Sequence, residues 1–149
     1  MGAETVFLVG AMAHRGDAFS IGTKDLTQYV PAVDRNNIQV TAPYDSLRPA
    51  VRDAIRRIVN AAHRHGKPVN ICGELAGDPA GALPLLGLGV DSFGMHPALL
   101  GEVKRGICCC MRADARRLAE AALAVADGSA FHRHMHAELE SVQHYSGSG

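Results

Sequence analysis

NICGELAGDPAGALPLLGLGVDSFG, residues Asn70 to Gly94, sets Cys72 just after a short β-branched run and just before Gly73. A thiol so placed suits the C-terminal mouth of a parallel strand, where α/β barrels carry their chemistry. Lys67 and Pro68 lead into this strand, which is expected over Val69 to Cys72. Further on, Asp78 can cap a helix that has Pro79 in its first turn. That helix is expected to be short, because Pro84 and Gly87 both discourage continuation. Val90 to Phe93 then reads as another strand.

Upstream, Phe19 to Tyr29 reads FSIGTKDLTQY: a buried strand over Ala18 to Ile21, closed by Gly22, then a polar turn bearing Asp25. Two strand ends that offer a thiol and a carboxylate to one mouth suggest an active site. Asp25 to Tyr29 reads as a short helical turn, and Pro31 to Leu47 as a polar loop. Pro49 opens an amphipathic helix to about His65, with Val51, Ala54, Ile55, Ile58, Val59 and Ala62 recurring at three and four and Gly66 as its stop. Leu99 to Gly106, Ala113 to Ala126 and Phe131 to Val142 are expected helices, and the closing SGSG a flexible tail. Residues 1–16 are ambiguous, with Val6 to Val9 apolar enough for a strand and Ala11 to Arg15 able to begin a helix. Strands alternating with helices argue for βαβ units around a parallel sheet. No internal repeat is evident.

A chain of 149 residues suits one domain with a sizeable core. An intact eight-stranded barrel needs ~250 residues, so this length is too short for one. Lys plus Arg and Asp plus Glu both total 15, so no net charge favours nucleic acid or an anionic membrane. The apolar runs are short and broken by Gly, Pro or charge, which argues against a transmembrane helix. MGAETVFLVGAMA lacks the basic start of a signal peptide. Of four cysteines, Cys108, Cys109 and Cys110 are adjacent, which is no disulfide framework and points to a reducing cytoplasm.

From Asp17 to Ile107 the chain resembles the phosphoenolpyruvate-binding C-terminal barrel of Enzyme I, the phosphoenolpyruvate-protein phosphotransferase of the bacterial sugar phosphotransferase system. CGELAGD and SIGTKDLTQY with AVDR carry the resemblance. AVDRNN followed by YDSLRPAV is most similar to the nitrogen-related branch. The resemblance implies an α/β fold: the last part of a (β/α)8 TIM barrel, about strands six to eight. It implies residues 17–107 as family core, after an irregular start over 1–16 and before C-terminal helices and tail over 108–149. An exposed parallel edge would remain, so a homodimer or a complementing barrel fragment is expected.

The same resemblance gives roles to individual residues. Cys72 matches the family cysteine that protonates C3 of enolpyruvate after phosphoryl loss; the bland alternative is a small buried hydrophobe. Asp25 matches a Mg²⁺ ligand, since a carboxylate beside a phosphate needs a hard cation between them; the alternative is a helix N-cap. Arg35 matches a substrate arginine, able to grip carboxylate or phosphate in bidentate fashion; the alternative is an exposed loop arginine. Lys24 stands where the family has Asn, and can meet a phosphate as a point charge while competing with Mg²⁺. Glu4, in GAETV, resembles the second metal ligand of an MxE(T/V)P context, at shortened spacing and with Val6 where Pro is expected. Gly94 and His96 occupy a turn usually written SMSP.

Enzyme I accepts the phosphoryl group on a histidine of a separate domain and passes it to an HPr-type carrier through a helical subdomain. Neither is in this sequence, so the chain alone is expected not to complete that reaction. The alternative function is a non-catalytic dimerisation or regulatory module, or a decayed remnant of the family. His132, His134, His136 and His144 with Cys108 to Cys110 form a rival Zn²⁺ candidate, but the cysteines lack C-x₂-C spacing and the histidines lack an HExxH glutamate. The Arg48, Arg52, Arg56 series reads as a solvated helix face rather than a nucleic-acid patch.

Overall fold

The computed structural model describes Met12, residues 15–24, Leu26, residues 49–125 and residues 128–146. Three short strands, β1 (Phe19–Gly22), β2 (Val69–Cys72) and β3 (Ser92–Gly94), form a parallel sheet in the order β1-β2-β3. Among the described residues it is accompanied by the helices α1 (Pro49–Arg64), α2 (Pro79–Gly87), α3 (Pro97–Cys109), α4 (Arg112–Ala124) and α5 (Gly128–Ser146). The chain is therefore α/β, as the alternation of patterns predicts. The expectations over Val6 to Val9, Ala11 to Arg15, Asp25 to Tyr29 and Pro31 to Leu47 lie outside the described residues, apart from Met12, Arg15 and Leu26.

Alternation along the strands sorts the two faces of the sheet. Phe19, Ile21, Val69 and Ile71 are buried in one core with Val51, Ile55, Ile58 and Val59 of α1 and with Leu83 and Leu85 of α2. The opposite face carries Ser20, Asn70 and Ser92 in one register row and Gly22, Cys72 and Gly94 in the next. α1 ends as its sequence predicts. Gly66, at φ 67°, closes a cap in which Lys67 N–H donates to Ala62 O at 3.0 Å and Gly66 N–H to His63 O at 2.9 Å.

α2 is short and ends at Gly87, as its sequence predicts, whereas β3 departs from expectation. α2 runs through Pro84 to Gly87 because Ala80 to Leu85 are all buried, and packing outweighs the proline's lost donor. The third strand starts later than Val90, because Val90 N–H is taken by Leu85 O in the cap of α2, at 3.1 Å. α2 packs most closely on α4, where a Cβ at Gly87 would lie 1.8 Å from Ala115 O. Arg52 corrects the solvated-face reading. It is 2% exposed, its guanidinium sits 4.8 Å from the Phe131 ring centroid, and Nη2 donates to Val125 O. Among the described residues, neither Nε nor Nη1 of Arg52 has a hydrogen-bond partner. Arg52 lies beside the Val51, Ile55, Val59 stripe, and α5 covers it.

The strands' N-terminal ends are pinned by Asp91, whose Oδ2 accepts from Val69 N–H at 2.7 Å and lies 2.9 Å from His63 Nε2. Burial pushes the Asp91 carboxyl pKa up, but the bonds from His63 and Val69 outweigh it and hold the value below the ordinary one. A depressed carboxylate contributes stability above its unfolded pKa of ~3.9, and that contribution is lost as pH falls through the folded value. Asp91→Asn is expected to be less stable than the wild type at pH 7 by under ~1 kcal/mol, since both partners are well exposed. Urea titrations should show this gap closing below about pH 4; a gap that persists to lower pH would refute the assignment.

Candidate active site

CGELAGDP reads, in the structure, as a strand end, a turn and a capped helix. Cys72 closes β2, and Gly73 turns the chain at φ 122° and ψ −166°. Glu74–Gly77 forms one 3₁₀ turn. Asp78 then caps α2, its carboxylate accepting from Ala80 N–H at 3.0 Å, with Pro79 at the first helical position. Gly73 is obligatory on two counts: this backbone region is almost closed to other residues, and a Cβ there would lie 2.4 Å from Thr23 Oγ1.

At the C-terminal ends of the strands, Gly22, Cys72 and Gly94 share one register row. Thr23, only 2% exposed, donates from Oγ1 to Cys72 O at 3.4 Å, and Gly73 N–H donates to Gly94 O at 3.3 Å. These two bonds tie the three ends together and fix the backbone on either side of the thiol. Cys72 is half-buried, with Sγ 3.6 Å from Ile21 O and 4.0 Å from Ser20 Oγ. Its neighbours in the row, Gly22 and Gly94, carry no side chains of their own beside it. A Cβ at Gly94 would press on Cys72 Cβ at 3.3 Å. Lys24 is exposed just past the end of β1. Asp25, Arg35 and Glu4 lie outside the described residues, so of the five residues chosen from sequence only Cys72 and Lys24 have a structural setting.

His96 supplies a local reason for one departure. Its Nδ1 accepts from Ala98 N–H at 3.3 Å and caps α3, the service a serine hydroxyl performs at such a position. The residues that sequence reasoning missed are Thr23 and the polar row Ser20, Asn70 and Ser92. For Ser20 and Asn70 the sequence shows a polar residue at the middle of FSI and VNI, but not that the two pair across strands.

A protein-family model for the PEP-utilising enzyme, PEP-binding domain matches residues 3–110. The chain belongs to this family. A phosphoenolpyruvate-protein phosphotransferase of Buchnera aphidicola is 43% identical over 107 residues, covering 72% of this chain and 19% of the relative. The Salmonella typhimurium protein named phosphoenolpyruvate-dependent phosphotransferase system is 46% identical over 99 residues, 66% of this chain and 13% of that protein. A multiphosphoryl transfer protein of Xanthomonas campestris is 46% identical over 112 residues, 75% and 13% of the two chains. This PEP-binding family segment thus spans a fifth or less of the relatives it matches. The Enzyme I resemblance in CGELAGD and SIGTKDLTQY is thereby shown at family level.

Of the C-terminal histidines, the side chains of His132 and His144 lie outside the described residues. Among the described residues no group of three or more His, Cys, Asp or Glu side chains converges on a metal-sized site. Cys108 and Cys109 are exposed on the last turn of α3, while burial, then the Asp114 charge, pushes the Cys110 thiol pKa up. No helix among them is long and apolar enough to cross a membrane.

Proposed function

We propose that the strand-end row around Cys72 is a phosphoenolpyruvate site, with Cys72 as the acid that completes the enol chemistry. The reading rests on the family match over residues 3–110, together with the placement of Cys72 at a strand end between two glycines. The three strands are then the sixth to eighth of a (β/α)8 barrel, and residues 17–107 its core.

Asp25 and Glu4 would hold Mg²⁺. Their carboxylate oxygens are the hard donors this ion prefers, and Asp25 follows directly on the Gly22, Thr23, Lys24 turn at the row. Bound there, Mg²⁺ would offset phosphate charge. Arg35 binds the carboxylate or phosphate, and Lys24 adds a point charge. After phosphoryl loss, the S–H bond of Cys72 breaks and its proton joins C3 of the enolate. The enolate's C=C electron pair forms the new C–H bond, the oxygen closes to the carbonyl of pyruvate, and a thiolate remains. The phosphoryl acceptor is a protein histidine outside this segment, and the handover to an HPr-type carrier also uses other domains. The setting is a cytoplasmic phosphotransferase system, in keeping with four free cysteines. Lys24 favours a second reading, a non-catalytic dimerisation or regulatory module, because an added cation competes with Mg²⁺.

Isothermal titration of phosphoenolpyruvate separates the two. The first reading expects Mg²⁺-dependent binding that weakens at least ~10-fold in Asp25→Ala, as loss of metal contacts commonly does, and survives in Cys72→Ala. Equal binding by the wild type and Asp25→Ala would sink the metal assignment. A folded dimer with no heat in either buffer would favour the module.

A further inference from the structure

The hydrogen bonds of the polar sheet face run in one direction. Ser92 Oγ donates to Asn70 Oδ1 at 3.1 Å, and Asn70 Nδ2 donates to Ser20 Oγ at 3.2 Å. The three residues are register partners across three strands, so the backbone ladder itself sets this row. Ser20 Oγ, having accepted from Asn70, keeps its own proton for another partner. Cys72 Sγ lies 4.0 Å away, within reach for a polarisable sulfur, one row nearer the strand ends. The thiol proton has a nearer acceptor in Ile21 O, at 3.6 Å, which leaves the sulfur lone pairs to Ser20.

We infer that Ser20 and Asn70 are positioning residues for Cys72, with Asn70 aiming the Ser20 hydroxyl at the sulfur so that it meets the thiolate left after proton transfer. The idea rests on Cys72 being the proton donor of the preceding section, and specifies what receives the charge it leaves behind. No proton beyond that of Cys72 moves: Ser20 donates a hydrogen bond and stays protonated. Ile21 O holds the thiol proton along the sheet until substrate carbon takes it. Asn70 touches no reacting atom and acts only through Ser20.

Thiol labelling tests this without substrate. Alkylation of the full chain by iodoacetamide, resolved by peptide mass spectrometry, gives the Cys72 rate against Cys108 as an exposed reference in the same molecule. A lost hydrogen bond to the sulfur should leave less thiolate, offset in part by a more nucleophilic sulfur. Ser20→Ala and Asn70→Ala are therefore expected to slow Cys72 about threefold at pH 7 and to move its rate–pH profile to higher pH. Ser20→Thr, which keeps the hydroxyl, should restore both. An unchanged or faster rate in Ser20→Ala overturns the inference, as does an unchanged rate in Asn70→Ala. Because phosphoenolpyruvate is absent, a failure of the binding titration leaves this result readable, and metal-dependent binding with unaltered labelling would overturn the inference alone.

Discussion

Gly87→Ala is expected to lower the stability of the chain by about 2–3 kcal/mol, near the upper end of the range for overpacking. The added Cβ would lie 1.8 Å from Ala115 O, 2.5 Å from its carbonyl carbon and 2.9 Å from Ala119 Cβ. The obstacle is mainly backbone, so no rotamer change relieves it, and α2 and α4 must move apart along their closest crossing. Against this stands the better helix propensity of Ala, worth ~1 kcal/mol in a helix interior and less at the last residue of α2. The steric term wins. With ordinary stabilities of 5–15 kcal/mol, the loss is a large fraction, and the midpoint of thermal unfolding should fall by roughly 5–10 °C. A urea or thermal midpoint equal to that of the wild type would show that the two helices separate at no cost.

Gly73→Ala is expected to damage both the fold and the site. At φ 122° and ψ −166° an alanine carries backbone strain of about 1–3 kcal/mol. Its Cβ also meets Thr23 Oγ1 at 2.4 Å. Thr23 is buried, so turning it away breaks its bond to Cys72 O and loosens the joint between β1 and β2. The sum is about 3 kcal/mol, with phosphoenolpyruvate binding weakened at least ~10-fold if Cys72 and the turn beyond Gly22 face one substrate. A double-mutant cycle with Thr23→Ala divides the loss: that change removes the clash and leaves the strain. Full recovery of stability in the double variant would mean that the backbone at residue 73 relaxes, contrary to the strain argument.

The elements were legible where local chemistry and tertiary packing agree. α1 has its apolar stripe and Gly66, β2 has Lys67-Pro68 before it and Gly73 after it, and the Asp78-Pro79 start of α2 needs no distant partner. Val90 misled because a helix cap claims its amide. Arg52 misled for a similar reason: helical periodicity places it at the edge of the buried stripe, and only the docking of α5 decides that it is covered. In the site, Cys72 was legible from its strand-end context. Thr23 and the Ser20, Asn70, Ser92 row were not, because their meaning depends on register between strands far apart in sequence.

The buried guanidinium of Arg52 bears on the order in which the molecule opens. Burial lowers its pKa from the ordinary value, yet at neutral pH it remains a cation, set against the ring of Phe131 with Nε and Nη1 unpartnered among the described residues. Lifting α5 away loses the apolar contacts of Phe131, Met135 and Leu139, but it also rehydrates that charge, so part of the cost is returned. Amide hydrogens of α5 should therefore exchange through a partial opening that leaves α1 and the sheet protected. The C-terminal helix is in this sense a latch, held less tightly than the layer it covers.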